Sequence, residues 1–132
     1  MSNANLAINF YKTAAGSSPV LEWLRGLPKQ DRKIIGDDIR RIEENWPLGA
    51  PTCKQVISRK GVWELRTRTE RLKSVRILFT IDNGCAILLH SFIKKESSAP
   101  TQMFEIADKR LIAYRSASAK RRTRAAKIAR GK

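Results

Sequence analysis

The chain of 132 residues contains one histidine, His90, and two cysteines, Cys53 and Cys85. There is no CxxC pair, and a lone histidine cannot complete a usual zinc set. No structural metal, cofactor or disulfide framework is expected. Long apolar runs are missing too. None approaches the roughly 18 residues that span a bilayer. Lys12 and Glu22 interrupt the weak apolar signal of residues 1–25, so no secretory h-region is read there and a cytoplasmic location is expected. Neither GxGxxG, P-loop nor HExxH is present, and no internal repeat is visible. Acidic residues are scarce, 12 against 27 Lys plus Arg.

That imbalance gives a net charge of +15. Seven of the cations lie in residues 117–132, which hold no acid, leaving +8 on residues 1–116. The excess is therefore not confined to the tail. It favours a polyanionic partner: RNA, DNA, an acidic protein or a membrane surface. With 42 % apolar residues the chain can build one modest core. Residues 1–116 read as a single domain. The basic segment 117–132 has one lone Ile and reads as disordered or loosely helical.

"LAINFYK" alternates apolar and polar residues, as a strand does. In "SSPVLEWLRGLP", Ser18 can cap a helix with Pro19 in its first turn, and Gly26 and Pro28 stop it. Ile34, Ile35, Ile39, Ile42 and Trp46 recur near helical spacing, and Pro47 ends that second helix. "CKQVI", "VWELRTR", "SVRILFTI" and "CAILLHSFI" read as four strands. "APTQMFEIADKRLIAYRSA" reads as a helix capped at Thr101, with Phe104, Ala107, Leu111 and Tyr114 near one face. The order β-α-α-β-β-β-β-α makes an α+β fold with a mainly antiparallel sheet.

Strand alternation sorts the cations. Val75, Ile77, Phe79 and Ile81 share one face; Arg76, Leu78 and Thr80 take the other. Trp63 and Leu65 oppose Glu64, Arg66 and Arg68. On the next strand Ile87, Leu89 and Ile93 oppose Ala86, Leu88, His90 and Phe92. A three-residue hairpin at Asp82–Gly84 pairs Ile81 with Cys85 and sets Arg76 opposite His90. A two-residue loop at Asn83-Gly84 sets Arg76 against Ser91 instead. The first register makes the apolar sets agree, and gathers Arg66, Arg76, His90 and, if the strand persists, Lys94 on the face away from the main core. Guanidinium groups bind phosphate bidentately and stabilise its developing charge; a His or Lys beside it can move protons. RNA supplies its own nucleophile, the 2′-OH, so cutting it needs no metal, only deprotonation of that hydroxyl, charge stabilisation and protonation of the leaving oxygen. Each residue also has an ordinary use. Strand arginines can be solvated charges, and His90 structural. Lys94 and Lys95 can blunt an edge. Phe92 fits a satellite core or a base-stacking platform, and Glu64 a base or an ion pair to Arg66 or Arg76. Trp23, Trp46 and Trp63 belong to the core.

"GVWELR" (Gly61 to Arg66), Arg76-Ile77, "HSFIKK" (His90 to Lys95), the Thr/Ser/Pro loop after it, and Ala107 to Arg110 come in an order that resembles the RelE/ParE toxin superfamily. The match is to its HigB-like, phage-associated branch, over roughly residues 6–115. The resemblance implies two N-terminal helices on a twisted antiparallel sheet with a basic concave face. It implies the toxin of a type II toxin–antitoxin pair: an endoribonuclease that cuts mRNA on the ribosome without metal, leaving a 2′,3′-cyclic phosphate. Arg66 and Arg76 then hold the scissile phosphate, and His90, Lys94 and Lys95 form the strand-end catalytic group. Lys54, Arg59, Lys60, Arg68 and Phe92 contact RNA. The implied partners are the ribosome, mRNA and a small helix-turn-helix antitoxin. No aromatic hydroxyl follows Lys95, where some RelE members place a catalytic tyrosine. Two other functions fit the same chain: a non-nucleolytic inhibitor resembling the gyrase-poisoning ParE members, and a basic nucleic-acid-binding phage protein without catalysis.

Overall fold

The computed structural model describes residues 5–95 and 99–130. The middle of the Thr/Ser/Pro loop (96–98) and the last two residues of the tail lie outside them. The elements are β1 (Ala7–Phe10), α1 (Pro19–Arg25), α2 (Lys29–Asn45), β2 (Cys53–Gln55), β3 (Trp63–Thr69), β4 (Lys73–Asp82), β5 (Cys85–Ile93) and α3 (Thr101–Arg130). This is the α+β order expected. The five strands form one mixed sheet in the order β1-β5-β4-β3-β2, with β1 parallel to β5 and the other neighbours antiparallel. Among the described residues no helix is long and apolar enough to cross a membrane.

One face of the sheet is covered by α1 and α2. Val20 and Leu24 of α1, and Ile35, Ile39 and Ile42 of α2, meet Leu65, Val75, Ile77, Phe79, Ala86 and Leu88 in the larger core cluster. Their i, i+4, i+7 spacing puts all three isoleucines on one stripe. Each fully buried side chain of this size contributes roughly 1.5–3 kcal/mol. Trp46 stacks edge-on against Trp63 and Phe79, at 5.1 and 5.8 Å, and Trp23 packs at the margin. Ser18 flanks α1 as expected, but its side chain makes no capping bond; its backbone N–H donates to Glu22 Oε2 instead (3.1 Å).

The other face is covered in part by α3. Ala107 and Leu111 are buried there with Val56, Val62, Leu78, Ile87, Leu89 and Phe92, flanked by Met103, Phe104 and Tyr114. Gly61 lies where this helix comes closest. Its φ is +85°, and a Cβ there would sit 2.8 Å from the Arg115 guanidinium and 3.6 Å from Leu111 Cδ2. The left-handed backbone calls for glycine; the arginine tip could move aside. The helix begins one residue earlier than a Thr101 cap implies. The Pro100 carbonyl accepts the first helical bond, from Phe104 N–H (3.0 Å), so Thr101 is already helical. Residues 117–130, expected to be disordered or loosely helical, continue α3 to Arg130. Ala, Arg and Lys dominate that stretch and all favour helix.

The β4–β5 hairpin corrects the expected register. Asp82 pairs with Cys85, so the loop is Asn83-Gly84 alone. Asn83 (φ +49°) and Gly84 (φ +75°) are both left-handed, as a type I′ turn requires. A straight ladder from that turn would set Arg76 against Ser91. The ladder is not straight. Phe79 pairs with Leu88 and Leu78 with His90, leaving Leu89 as an extra residue. Past this bulge Arg76 faces Phe92, and His90 faces Leu78 rather than Arg76. The bulge also changes the expected face sets of β5. Leu88 enters the α1/α2 core, while Ile87, Leu89 and Phe92 pack on the α3 side.

Candidate active site

Arg66 of β3 and Arg76 of β4 are direct cross-strand partners. Like charges in that relation repel, and Glu64, two residues before Arg66, supplies the counter-charge. Arg66 Nε donates to Glu64 Oε1 at 2.9 Å, and Arg76 Nε lies 3.7 Å from Glu64 Oε2. The carboxylate side chain is only 8 % exposed, Arg76 14 % and Arg66 37 %. Arg76 Nη1 donates to Ser74 Oγ (2.7 Å), while its buried Nε has no hydrogen-bond partner. Burial pushes the Arg76 pKa down; Glu64 opposes that shift and the Arg66 cation adds to it. The pair is thus partly desolvated cationic machinery held at fixed spacing by one acid.

Two depressions meet at Arg66. The first, of about 510 Å³, is lined by Arg66, Arg68, Ser74 and Arg76 with Thr52 and Arg41. Its wall is braced where Thr67 Oγ1 donates to Asp38 of α2. The second, of about 340 Å³, is lined by Lys54, Glu64, Arg66 and Phe104 beside the loop at Ile57-Ser58. Lys54 pairs with Glu64 across β2–β3 and is exposed, as are Lys60 and Arg68. Arg59 is more enclosed, with its guanidinium 4.0 Å from Glu105 of α3. Of the residues expected to contact RNA, Lys54 and Arg68 therefore border the arginine pair directly. Arg59 and Lys60 stand on the 56–62 loop next to it.

His90 and Phe92 reach the same face as the arginines, by way of the Leu89 bulge. Their rings stack at 5.9 Å, 20° from parallel, and Phe92 is buried in the α3-side cluster. His90 stands diagonally from Arg76, about 7–8 Å away for such a pair. Long side chains in that relation can still reach toward one another. Arg110 of α3 holds the imidazole. Its Nη1 donates to Leu89 O at 2.7 Å and lies 3.1 Å from His90 Nδ1; its guanidinium sits 6.0 Å above the Tyr11 ring. Arginine has no acceptor, so Nδ1 must accept and the proton resides on Nε2, 3.2 Å from Met103 Sδ. Burial, helped by the Arg110 charge, pushes the His90 pKa from 6.5 down to about 4. The imidazole is neutral at pH 7, with one nitrogen engaged and the other already protonated.

That depression has a consequence for stability. Between pH 6.5 and about 4 the unfolded chain binds a proton at His90 that the folded chain refuses. This group's contribution to stability is therefore complete above pH 6.5 and is lost as pH falls toward 4. Urea titrations at pH 7.5 and 4.5 should show wild type losing on the order of 2 kcal/mol more than His90→Gln. Equal losses would mean that the ring is solvated in the folded state.

β5 ends at Ile93, so Lys94 does not continue the strand. Its backbone N–H still donates to Ser74 O (2.8 Å), the residue whose hydroxyl holds Arg76. Lys94 Nζ reaches the Lys95 carbonyl at 3.3 Å. The lysine pair thus leaves the sheet beside the arginine cleft. Cys53 is buried at the other end of this region, and desolvation pushes its thiol up to about 12, which keeps it unreactive. Arg110, Met103 and Ser74 were not assigned site roles from sequence. Arg110 could have been noticed as the one cation set between Ala107, Leu111 and Tyr114 on the apolar side of α3. Met103 and Ser74 carry no such signal.

No curated protein matches the chain. The model of a family described as phage-derived protein Gp49-like matches residues 22–112. The match runs from α1 into α3 and includes Glu64, Arg66, Arg76, His90, Lys94 and Lys95. It covers more than half of the chain. The protein therefore belongs to the phage-derived Gp49-like family, whose general kind is that of the RelE/HigB-like toxins of toxin–antitoxin systems.

Proposed function

We propose that this protein is the toxin of a type II pair, of the HigB-like branch, and that it cuts mRNA on the ribosome without metal. The observation that carries the proposal is the Arg66–Arg76 pair, fixed by Glu64 at the junction of two open depressions. In this mechanism the scissile phosphate binds the outward edges of the two guanidiniums. The 2′-hydroxyl gives up its proton to solvent water as its oxygen attacks phosphorus, the bond to the 5′-oxygen breaks, and a 2′,3′-cyclic phosphate and a 5′-hydroxyl result. The two arginines hold the extra negative charge of the transition state. Proton delivery to the leaving oxygen falls to Lys94, because His90 is neutral and tied to Arg110. His90 instead stacks on Phe92, whose ring is buried in the α3-side cluster and packs there rather than against a base. Lys95, Lys54, Arg59, Lys60 and Arg68 bind the flanking backbone. The ribosome aligns the message, which offsets the absence of a strong general base. An antitoxin, acidic where it touches this face and carrying a helix-turn-helix, would occupy the cleft or distort it.

Induction of the chain alone in a bacterial host tests this reading. Growth should stop, with translated messages cut and the 3′ fragment ends bearing cyclic phosphates. Arrest with intact messages and inhibited DNA supercoiling would replace the nuclease by the gyrase-type inhibitor. Normal growth with uncut messages would leave only a binding protein.

A further inference from the structure

The last third of α3 has no task in the core or in the cleft. The only buried residues of α3 are Ala107 and Leu111, and every residue from Ala119 to Arg130 is exposed. Residues 117–130 hold Lys120, Arg121, Arg122, Arg124, Lys127 and Arg130, and no acid. Among the described residues the ion pairs lie elsewhere. Lys120, Arg124 and Lys127 are spaced i, i+4, i+7 and so line one face of the helix. Arg121 and Arg130 flank that stripe, and Ser118, Arg122, Ala125 and Ala129 lie opposite. Like charges one turn apart repel along the stripe, so an anion laid on it relieves strain that the isolated arm must bear.

We propose that residues 117–130 form a helical arm that binds the phosphate backbone of a folded, double-stranded RNA outside the cleft. The choice of RNA over DNA rests on the nuclease reading above; the rest is carried by the arm itself. A protein partner would need apolar or aromatic anchors, and lysine is depleted at such interfaces; the arm offers one large apolar residue, Ile128. A lipid surface would need an apolar face, whereas the side opposite the stripe is alanine, serine and arginine. Single-stranded RNA is gripped by stacking on aromatic rings, and the arm has none. A duplex asks only for spaced cations against a regular array of phosphates.

The test uses the full chain and a triple variant, Lys120→Gln, Arg124→Gln and Lys127→Gln, which keeps helix-favouring residues. Binding to an RNA stem-loop is measured over a series of salt concentrations. The variant should bind at least tenfold more weakly, and its log–log salt slope should be shallower by about three. The substituted side chains are exposed, so thermal unfolding should be unchanged. Equal affinity and equal slope would overturn the arm's role. Arm-dependent binding to poly-glutamate as tight as to the stem-loop would overturn it in favour of an acidic protein. Tighter arm-dependent binding to a DNA duplex would overturn the choice of RNA. Arg76→Ala should keep the arm-dependent affinity. A chain that never cuts messages yet loses RNA affinity in the triple variant removes the nuclease reading and leaves the arm. One that cuts messages but binds the stem-loop equally with and without the three cations removes the arm alone.

Discussion

Arg76→Ala should lower message cleavage about 10²–10³-fold, the usual effect of removing one preorganised donor from a developing anion. The protein should still fold and still bind ribosomes. Arg76 is the better enclosed of the two arginines, 14 % exposed against 37 %. Its charge is screened less by water, and its loss should cost more than Arg66→Ala. Geometry matters as well as charge. One arm of the guanidinium is held by Ser74 Oγ and its Nε edge faces Glu64, which fixes the orientation of the planar group at the cleft wall. Arg76→Lys keeps the cation but not the fork, and should recover only part of the rate. Primer extension on a translated message, with wild-type and variant chains at equal ribosome occupancy, reads the ratio. Cleavage by Arg76→Ala within a factor of three of wild type would remove Arg76 from the mechanism.

The largest effect on stability is expected at Glu64. Glu64→Gln keeps the shape of the side chain and removes its charge. Arg66 and Arg76 then face one another with no anion between them, in a site where the acid is 8 % exposed. Removing one member of an enclosed charge set leaves the others desolvated and unpaired, at a cost of 3–5 kcal/mol in well-buried cases. Arg66 is partly solvated, so the expected loss is about 3 kcal/mol, or roughly 10 °C in Tm. Replacing Glu64 and Arg76 together by Leu and Met should recover part of it, because an apolar pair of similar volume removes the enclosed Arg76 charge, while the partly solvated Arg66 is left without its carboxylate. Calorimetry of the wild type, Glu64→Leu, Arg76→Met and the double variant closes the cycle, with Glu64→Gln measured beside it. A loss below 1 kcal/mol for Glu64→Gln would mean that the arginines do not depend on that carboxylate.

The parts of this fold that depend on short-range pattern were legible before any coordinates. The isoleucines at 35, 39 and 42, the alternation through Val75–Ile81 and the turn residues at 82–84 gave the element order. The face shared by Arg66 and Arg76 followed from β3–β4 alternation alone, and the structure pairs them. The errors came from places where one residue decides. Asn83 tolerates a left-handed φ better than most residues with a Cβ, so the shorter Asn-Gly loop forms. The Leu89 bulge has no Gly or Pro to announce it, because its reason is tertiary: both Leu88 and Leu89 find apolar company, on opposite sides of the sheet. The state of His90 was not legible either. It depends on Arg110, twenty residues further on, and on α3 lying against that face of the sheet.

The bulge at Leu89 lets one strand obey two sets of demands. Before it, β5 answers to the interior, and its alternation is that of a core element. After it, the phase is reset, and the side chains that follow are free to answer to the arginine-bearing face. In a continuous strand, any change of phase that turned the imidazole toward the arginines would also have turned Ala86 and Leu88 out of the hydrophobic interior. A single unpaired leucine separates those two problems, so chemistry at the end of the strand can vary without the packing at its start having to follow.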